Sequence, residues 1–255
     1  MFRRIIKTLR QLGQEKDLAK DAGSYWSLSG SNERLQDQSH WCGVMRWNRE
    51  RWFEYGDFHL RLILKCLEAY AGPDYIGSLS EKTALEWGCG GGSIVRPLCR
   101  TFSRVYGVEI SLASLDECER QMNILGLHNF TPVLFEAQDP ESVLRSVPPL
   151  SVDILVSASV FQHFPSKAYT QRVVRVAGEL TKPGGFALIQ VRYFDGSAKL
   201  RQKENDYAKN VIYMTSFTPE EFSPLLEEAG FSLLLRDRDP DGGEDRHDYY
   251  FARKN

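Results

Sequence analysis

The sequence predicts an α/β protein built on a doubly wound, mostly parallel sheet. Three observations predict it. Short apolar runs alternate with amphipathic helical stretches from residue 58 onward. A glycine-rich turn, Gly88 to Gly92, joins the first apolar run to the next helix. The second run, Arg104 to Ile110, carries Glu109 near its end, where open α/β sheets bind ligands.

The elements follow in order. Phe58 to Tyr70 has helical periodicity and stops before Ala71-Gly72-Pro73. Thr83 to Trp87 is a short buried strand, and a helix follows the glycine turn to about Arg100. Glycines at such a turn let the backbone approach a ligand, and the helix points its N-terminal amides into the same space. A carboxylate, a phosphate or a ribose suits that space. Ser111 is placed to cap the helix from Leu112 to Leu125, and Gly126 stops it. Phe130 to Glu136 is the third strand and Ser151 to Ser159 the fourth. The fourth is apolar in its middle, as a parallel strand covered on both faces should be. Lys167 to Leu180 is a helix, and Lys182-Pro183-Gly184-Gly185 turns the chain into the fifth strand, Phe186 to Tyr193. Thr218-Pro219-Glu220-Glu221 is a capping box for a helix to Ala229. Phe231 to Arg236 and Asp248 to Arg253 close the chain as two strands.

The spacing Glu86-x-Gly88-x-Gly90-x-Gly92 resembles motif I of the class I S-adenosylmethionine-dependent methyltransferases. A dinucleotide fingerprint would want glycine or alanine where Ser93 stands. The L-T-K-P-G-G-F run before the fifth strand is a second resemblance to that class. Asp153, Ser157, Val160 and His163 fit the D-x-x-x-S-x-x-V-x-x-H pattern of many small-molecule methyltransferases. The resemblance covers about residues 58–255. It implies seven strands, the last antiparallel, and S-adenosylmethionine as cofactor. It also implies cofactor contacts from Glu86, Gly88, Gly90, Gly92, Glu109 and Ser157, with Glu109 on the ribose hydroxyls. For the adenine it points to Gln138 or Asp139 and does not choose between them. Trp87 departs from the pattern, which has a small or aliphatic residue there.

His163 is the expected general base, with an ordinary pKa near ~6.5. The alternative is a histidine that hydrogen-bonds its own loop or stacks beside the adenine. Arg192 and Tyr193, at the end of the fifth strand, and Trp41 are placed at the acceptor. The polar stretch from 192 to 216 reads as an insertion over the acceptor site. The V-F-Q-H-F-P run after the fourth strand resembles enzymes of glycan and natural-product pathways. The expected reaction is therefore O-methylation of a sugar or another small polar metabolite. A nicotinamide dehydrogenase and a non-catalytic cofactor-binding subunit are the competing readings.

Residues 1–57 form an N-terminal helical, aromatic-rich extension. Residues 1–20 read as an amphipathic helix with basic residues around its apolar face, which suits contact with an anionic membrane through 1–13 or packing on the domain or a second subunit. Trp26, Trp41, Trp47 and Trp52 crowd the segment 21–57, which suits a cap or pocket wall. A net charge of −2 gives no global field for nucleic acid. Five cysteines, without C-x-x-C spacing, read as reduced thiols in a cytoplasmic protein and not as a metal site. The acidic loop from Asp237 to Arg246 lacks calcium-loop spacing.

Overall fold

The computed structural model describes residues 15, 17–198, 200–203, 205–238 and 247–255. Most of the amphipathic stretch 1–20 and most of the acidic loop lie outside the described residues. Seven strands form one sheet: β1 (Thr83–Trp87), β2 (Arg104–Glu109), β3 (Phe130–Leu134), β4 (Val152–Ser157), β5 (Thr181–Arg192), β6 (Phe231–Arg238) and β7 (His247–Lys254). Their order is β3-β2-β1-β4-β5-β7-β6. The first five are parallel, and β7 runs antiparallel to both neighbours. The chain winds outward from β1 to β3 and then returns to β4. The strand order therefore reverses between β1 and β4, and their C-terminal ends open a crevice.

The helices are α1 (17–27), α2 (Glu33–Gln38), α3 (Arg49–Tyr70), α4 (Pro73–Gly77), α5 (Val95–Thr101), α6 (Leu112–Ile124), α7 (Lys167–Leu180), α8 (Tyr207–Asn210) and α9 (Pro219–Glu228). Alternation along β1 sets the layers. Ala84 packs with α3, α5 and α6 residues such as Trp52, Ile63 and Leu98. Leu85 and Trp87 pack on the opposite face with α7 and α9 residues such as Val173 and Phe222. Trp87 presses its ring on Phe135, with centroids 5.2 Å apart. Its unusual size thus fills one core layer.

The helix expected from Phe58 begins at Arg49, where the Asn48 side chain caps it by accepting from Arg51 N–H at 2.8 Å. It therefore runs unbroken through residue 57. Gly56, inside it, lies where any Cβ would strike the Ser93 carbonyl. This close approach packs α3 on the start of α5. Arg96 of α5 donates to the Phe53 carbonyl at 3.0 Å and pairs with Asp57, locking the same contact. The turn Lys182–Gly185 lies within β5, which starts at Thr181 and pairs there with Val152.

α1 docks by Leu18, Ala22 and Trp26 on Tyr207, Val211 and Met214. A helix this short is marginal alone in water. Burying each large apolar side chain contributes ~1.5–3 kcal/mol, so this small core, with Ala19 in the main core beside it, holds α1 over the sheet.

Candidate active site

The crevice at the β1/β4 switch is a pocket with about 790 Å³ of empty space, counted out to its open mouth. Its floor is the turn after β1. Gly88 has φ 77° and Gly90 φ 49°, a region that side chains rarely adopt. A Cβ on Gly88 would run into Val160, and one on Gly90 would lie 2.5 Å from the Ser39 carbonyl oxygen. The turn is thus sandwiched between the segment after β4 and residues 39–40. Gly91 N–H donates to the Ser39 carbonyl at 2.6 Å.

Two acids flank the turn. Glu109 accepts from Gly90 N–H at 3.1 Å through one oxygen. Its other oxygen accepts from Ile110 N–H at 2.7 Å and Ser111 N–H at 3.1 Å. Burial pushes its carboxyl up, and these three amides pull it back. Glu86 is 3% exposed, and its Oε2 has no hydrogen-bond partner. Burial holds its carboxyl well above the usual range, opposed by the Val95 N–H and reinforced by Glu109. A buried carboxylate oxygen without a partner is costly unless a ligand meets it.

The segment after β4 forms the far wall. Ser159, at φ 59°, donates its N–H to Gln190 Oε1 at 2.7 Å. His163 lines the pocket, its Nδ1 set against the Val211 carbonyl at 2.8 Å and its Nε2 near the Gln162 amide at 3.3 Å. Burial depresses its pKa to about 4, although the Val211 bond works the other way.

The roof comes from the N-terminal extension and α8. Trp26 donates its indole N–H to Tyr207 Oη at 2.9 Å, and Tyr207 donates to the His163 carbonyl at 2.8 Å. His40 lies beside the glycine turn, its ring centroid 4.0 Å from Trp47. Burial, with Arg46 nearby, lowers its pKa to about 3.

Of the residues singled out from sequence, Glu86, Gly88, Gly90, Glu109 and His163 line this pocket. Gly92 completes the turn beneath it, at φ 86°. Ser157 gives its hydroxyl to the Trp87 carbonyl at 2.9 Å, below the lining. Gln138 is exposed, and Asp139 pairs with Arg145 at 3.1 Å; Phe135 and Ala137 line the pocket from that strand end instead. Trp41 points its indole N–H at Ser114 of α6, 3.3 Å away. Arg192 is buried over the Tyr213 ring, and Tyr193 lies under the Arg238 guanidinium. None of these last five lines the pocket. Sequence reasoning put Trp26 in the segment that suits a cap or pocket wall, and it lines the pocket, but nothing in the periodicity marked His40 or Tyr207.

S-adenosylmethionine, the cofactor that motif I implies, fits this donor set. Glu86 would meet its ammonium, Glu109 its ribose hydroxyls, and Ile110 and Phe135 its adenine. Among the described residues, no group of three or more histidines, cysteines and acids could hold a metal ion. Nor is any helix among them long and apolar enough to cross a membrane.

Residues 85–187 match a family model described as a methyltransferase domain. A ubiquinone biosynthesis O-methyltransferase from Bordetella pertussis is 31% identical over 110 residues, 43% of this chain and 42% of that protein. The match thus spans less than half the length of that curated relative. Magnesium protoporphyrin IX methyltransferase from Synechocystis, with bound SAH, superposes at a TM-score of 0.61 and 15% identity, covering 89% of this chain and 97% of that one. A Burkholderia thailandensis 1,6-didemethyltoxoflavin-N1-methyltransferase superposes at 0.55 and 21% identity over 75% and 76% of the two chains. These likenesses show the fold.

Proposed function

We propose that this chain, a member of the class I S-adenosylmethionine-dependent methyltransferases, methylates a hydroxyl oxygen on a small metabolite. The observation that carries the reading is the pair of acids around the glycine turn, with Glu86 Oε2 buried and unpartnered, in one pocket with His163 and His40. Such a pair suits a cationic, ribose-bearing ligand. The bound cofactor supplies a methyl group already activated by positive sulfur.

What the chain supplies is alignment, dryness and a place for the acceptor's proton. Glu109 is held by three amides, so its lone pairs are oriented before a ribose arrives. Trp26, Phe164 and Tyr169 line the pocket with aromatic surface. The curated relatives are named for O-methylation, which supports oxygen as the atom. The described part of the N-terminal extension, 17–48, acts as the cap of a catalytic domain that begins with α3 at Arg49. The cysteines are unpaired, which suits a cytoplasmic setting. Sugars and phenols are the acceptor classes to separate.

Calorimetric titration with S-adenosylhomocysteine tests the cofactor half, and methyl-labelled S-adenosylmethionine with sugar and catechol panels tests the rest. Micromolar binding followed by label on a hydroxyl is the expected result. Absence of binding, with NADH binding instead, would favour the dehydrogenase reading.

A further inference from the structure

The pocket holds two histidines, and they are tied down differently. His163 is engaged by its own scaffold. Its Nδ1–H donates to the Val211 carbonyl, which leaves Nε2 as the acceptor, and the Gln162 amide faces that nitrogen. Its ring also stands edge-on to Trp26 at 5.3 Å. His163 therefore joins the turn after β4 to the 207–214 segment.

The imidazole of His40 has no hydrogen-bond partner among the described residues. It is held by rings alone: tilted on Trp47 at 4.0 Å and edge-on to Tyr55 at 4.8 Å. Ring contacts fix the plane of an imidazole and leave its nitrogens for a ligand. The backbone beneath is clamped. Ser39 takes the Gly91 N–H, and the His40 carbonyl takes the Trp52 indole N–H at 2.9 Å. His40 itself stands at φ 57°, a left-handed conformation that persists only where the surroundings enforce it. Its partner Tyr55 shares a hydrogen bond of 2.8 Å with the Ser159 hydroxyl. His40 thus bridges the two edges of the crevice, the glycine turn and the segment after β4.

We propose that His40 is the group that accepts the proton of the incoming hydroxyl, and that His163 is a positioning residue. This rests on the methyltransferase reading above. The hydroxyl proton passes to a His40 ring nitrogen as the oxygen's electron pair forms the O–CH₃ bond. The electrons of the S–CH₃ bond return to sulfur, and the proton on His40 then leaves to solvent. A neutral imidazole is required at the start, and the buried, aromatic setting beside Arg46 keeps it neutral. A neutral imidazole does not ionise a hydroxyl beforehand, so proton and methyl move together.

The deciding measurement uses the native chain. In its complex with ¹³C-methyl S-adenosylmethionine, nuclear Overhauser effects from the methyl should reach the ring protons of His40, identified by their loss in His40→Asn. Contacts to His163 alone, or to neither ring, would overturn the proposal. His40→Asn should bind S-adenosylhomocysteine within threefold of the native chain, and a variant that loses binding would make His40 a structural residue. For 3,4-dihydroxybenzoate or methyl glucoside, whichever the native chain methylates, His40→Asn should lower kcat by ~100-fold or more, with partial rescue by added imidazole. Retention of a third of kcat would sink the base role. His163→Asn should act mainly on KM. A native chain that binds neither form of the cofactor would remove the methyltransferase reading, and this inference with it.

Discussion

The floor and the roof of the pocket meet the same space, yet they are held by different forces. The floor, residues 86–92 with the end of β2, is almost all backbone. Glu109 gathers amides from Gly90, Ile110 and Ser111, and the glycines bend because nothing larger fits. The roof is almost all side chain, and its contacts cross the chain. Trp26 reaches Tyr207, Tyr55 reaches Ser159 and Trp41 reaches Ser114. A floor made this way tolerates little change at any one position. A roof of separate side-chain contacts can be altered piece by piece, which is where acceptor choice can vary without loss of the fold.

The largest effect should come from the floor. Glu109→Ala removes an oriented carboxylate and frees three amides at once. Hydrogen bonds to a charged group are each worth ~1.5–3 kcal/mol, so affinity for S-adenosylhomocysteine should fall by ~100-fold or more. Calorimetry reads it directly. A loss under fivefold would mean that the ribose does not rest on this acid.

Gly56→Ala comes next, because it attacks the floor from behind. The new methyl would enter the Ser93 carbonyl, and backbone on both sides cannot yield. Overpacking of this kind costs ~1–3 kcal/mol or more. The melting temperature should drop by several degrees, and cofactor affinity should weaken with it as the start of α5 shifts. An unchanged melting curve would show that α3 slides without penalty.

These two positions also show how far the sequence could be read. Glu109 was legible because strand, acid and cap follow one another within a few residues. The glycine turn and the K-P-G-G turn were legible for the same local reason. Gly56 was not, since its meaning depends on a carbonyl at Ser93. The start of α3 at Arg49 was obscured because the aromatic cluster around it reads equally well as a loop. His40 needs a contact with Gly91, and Tyr207 one with Trp26. No periodicity encodes a pairing across 181 residues. Gln138 and Asp139 were chosen as polar residues past β3, but Phe135 and Ala137 face inward there, following the period of two that extended chain imposes.

The pH dependence of cofactor binding sharpens the comparison at an intermediate scale. Burial raises the Glu86 carboxyl in the free chain. A ligand ammonium beside it favours the ionised form and lowers that pKa in the complex. The free chain therefore holds more protons than the complex, and binding releases them. Affinity should rise with pH, by at most tenfold per unit, from the usual carboxylate range up to the raised pKa of the free chain, and level off above it. Titration in buffers of different ionisation enthalpy counts the protons. Glu86→Gln should bind more weakly and show a flat profile over the same range. A native profile that falls with rising pH would place the cationic end of the ligand elsewhere.

The smallest effect belongs to the roof. Trp26→Phe keeps an aromatic ring in the small core with Leu18, Val211 and Met214 but deletes the indole N–H that Tyr207 accepts. Tyr207 keeps its own donation to the His163 carbonyl, so no donor is stranded. The loss should be about 1 kcal/mol, felt as faster amide exchange in 17–27 and 207–211, with cofactor affinity unchanged. If the roof also shapes the acceptor site, KM for the acceptor rises while affinity for S-adenosylhomocysteine stays put. Should both weaken together, floor and roof are one cooperative unit, and the division drawn between them fails.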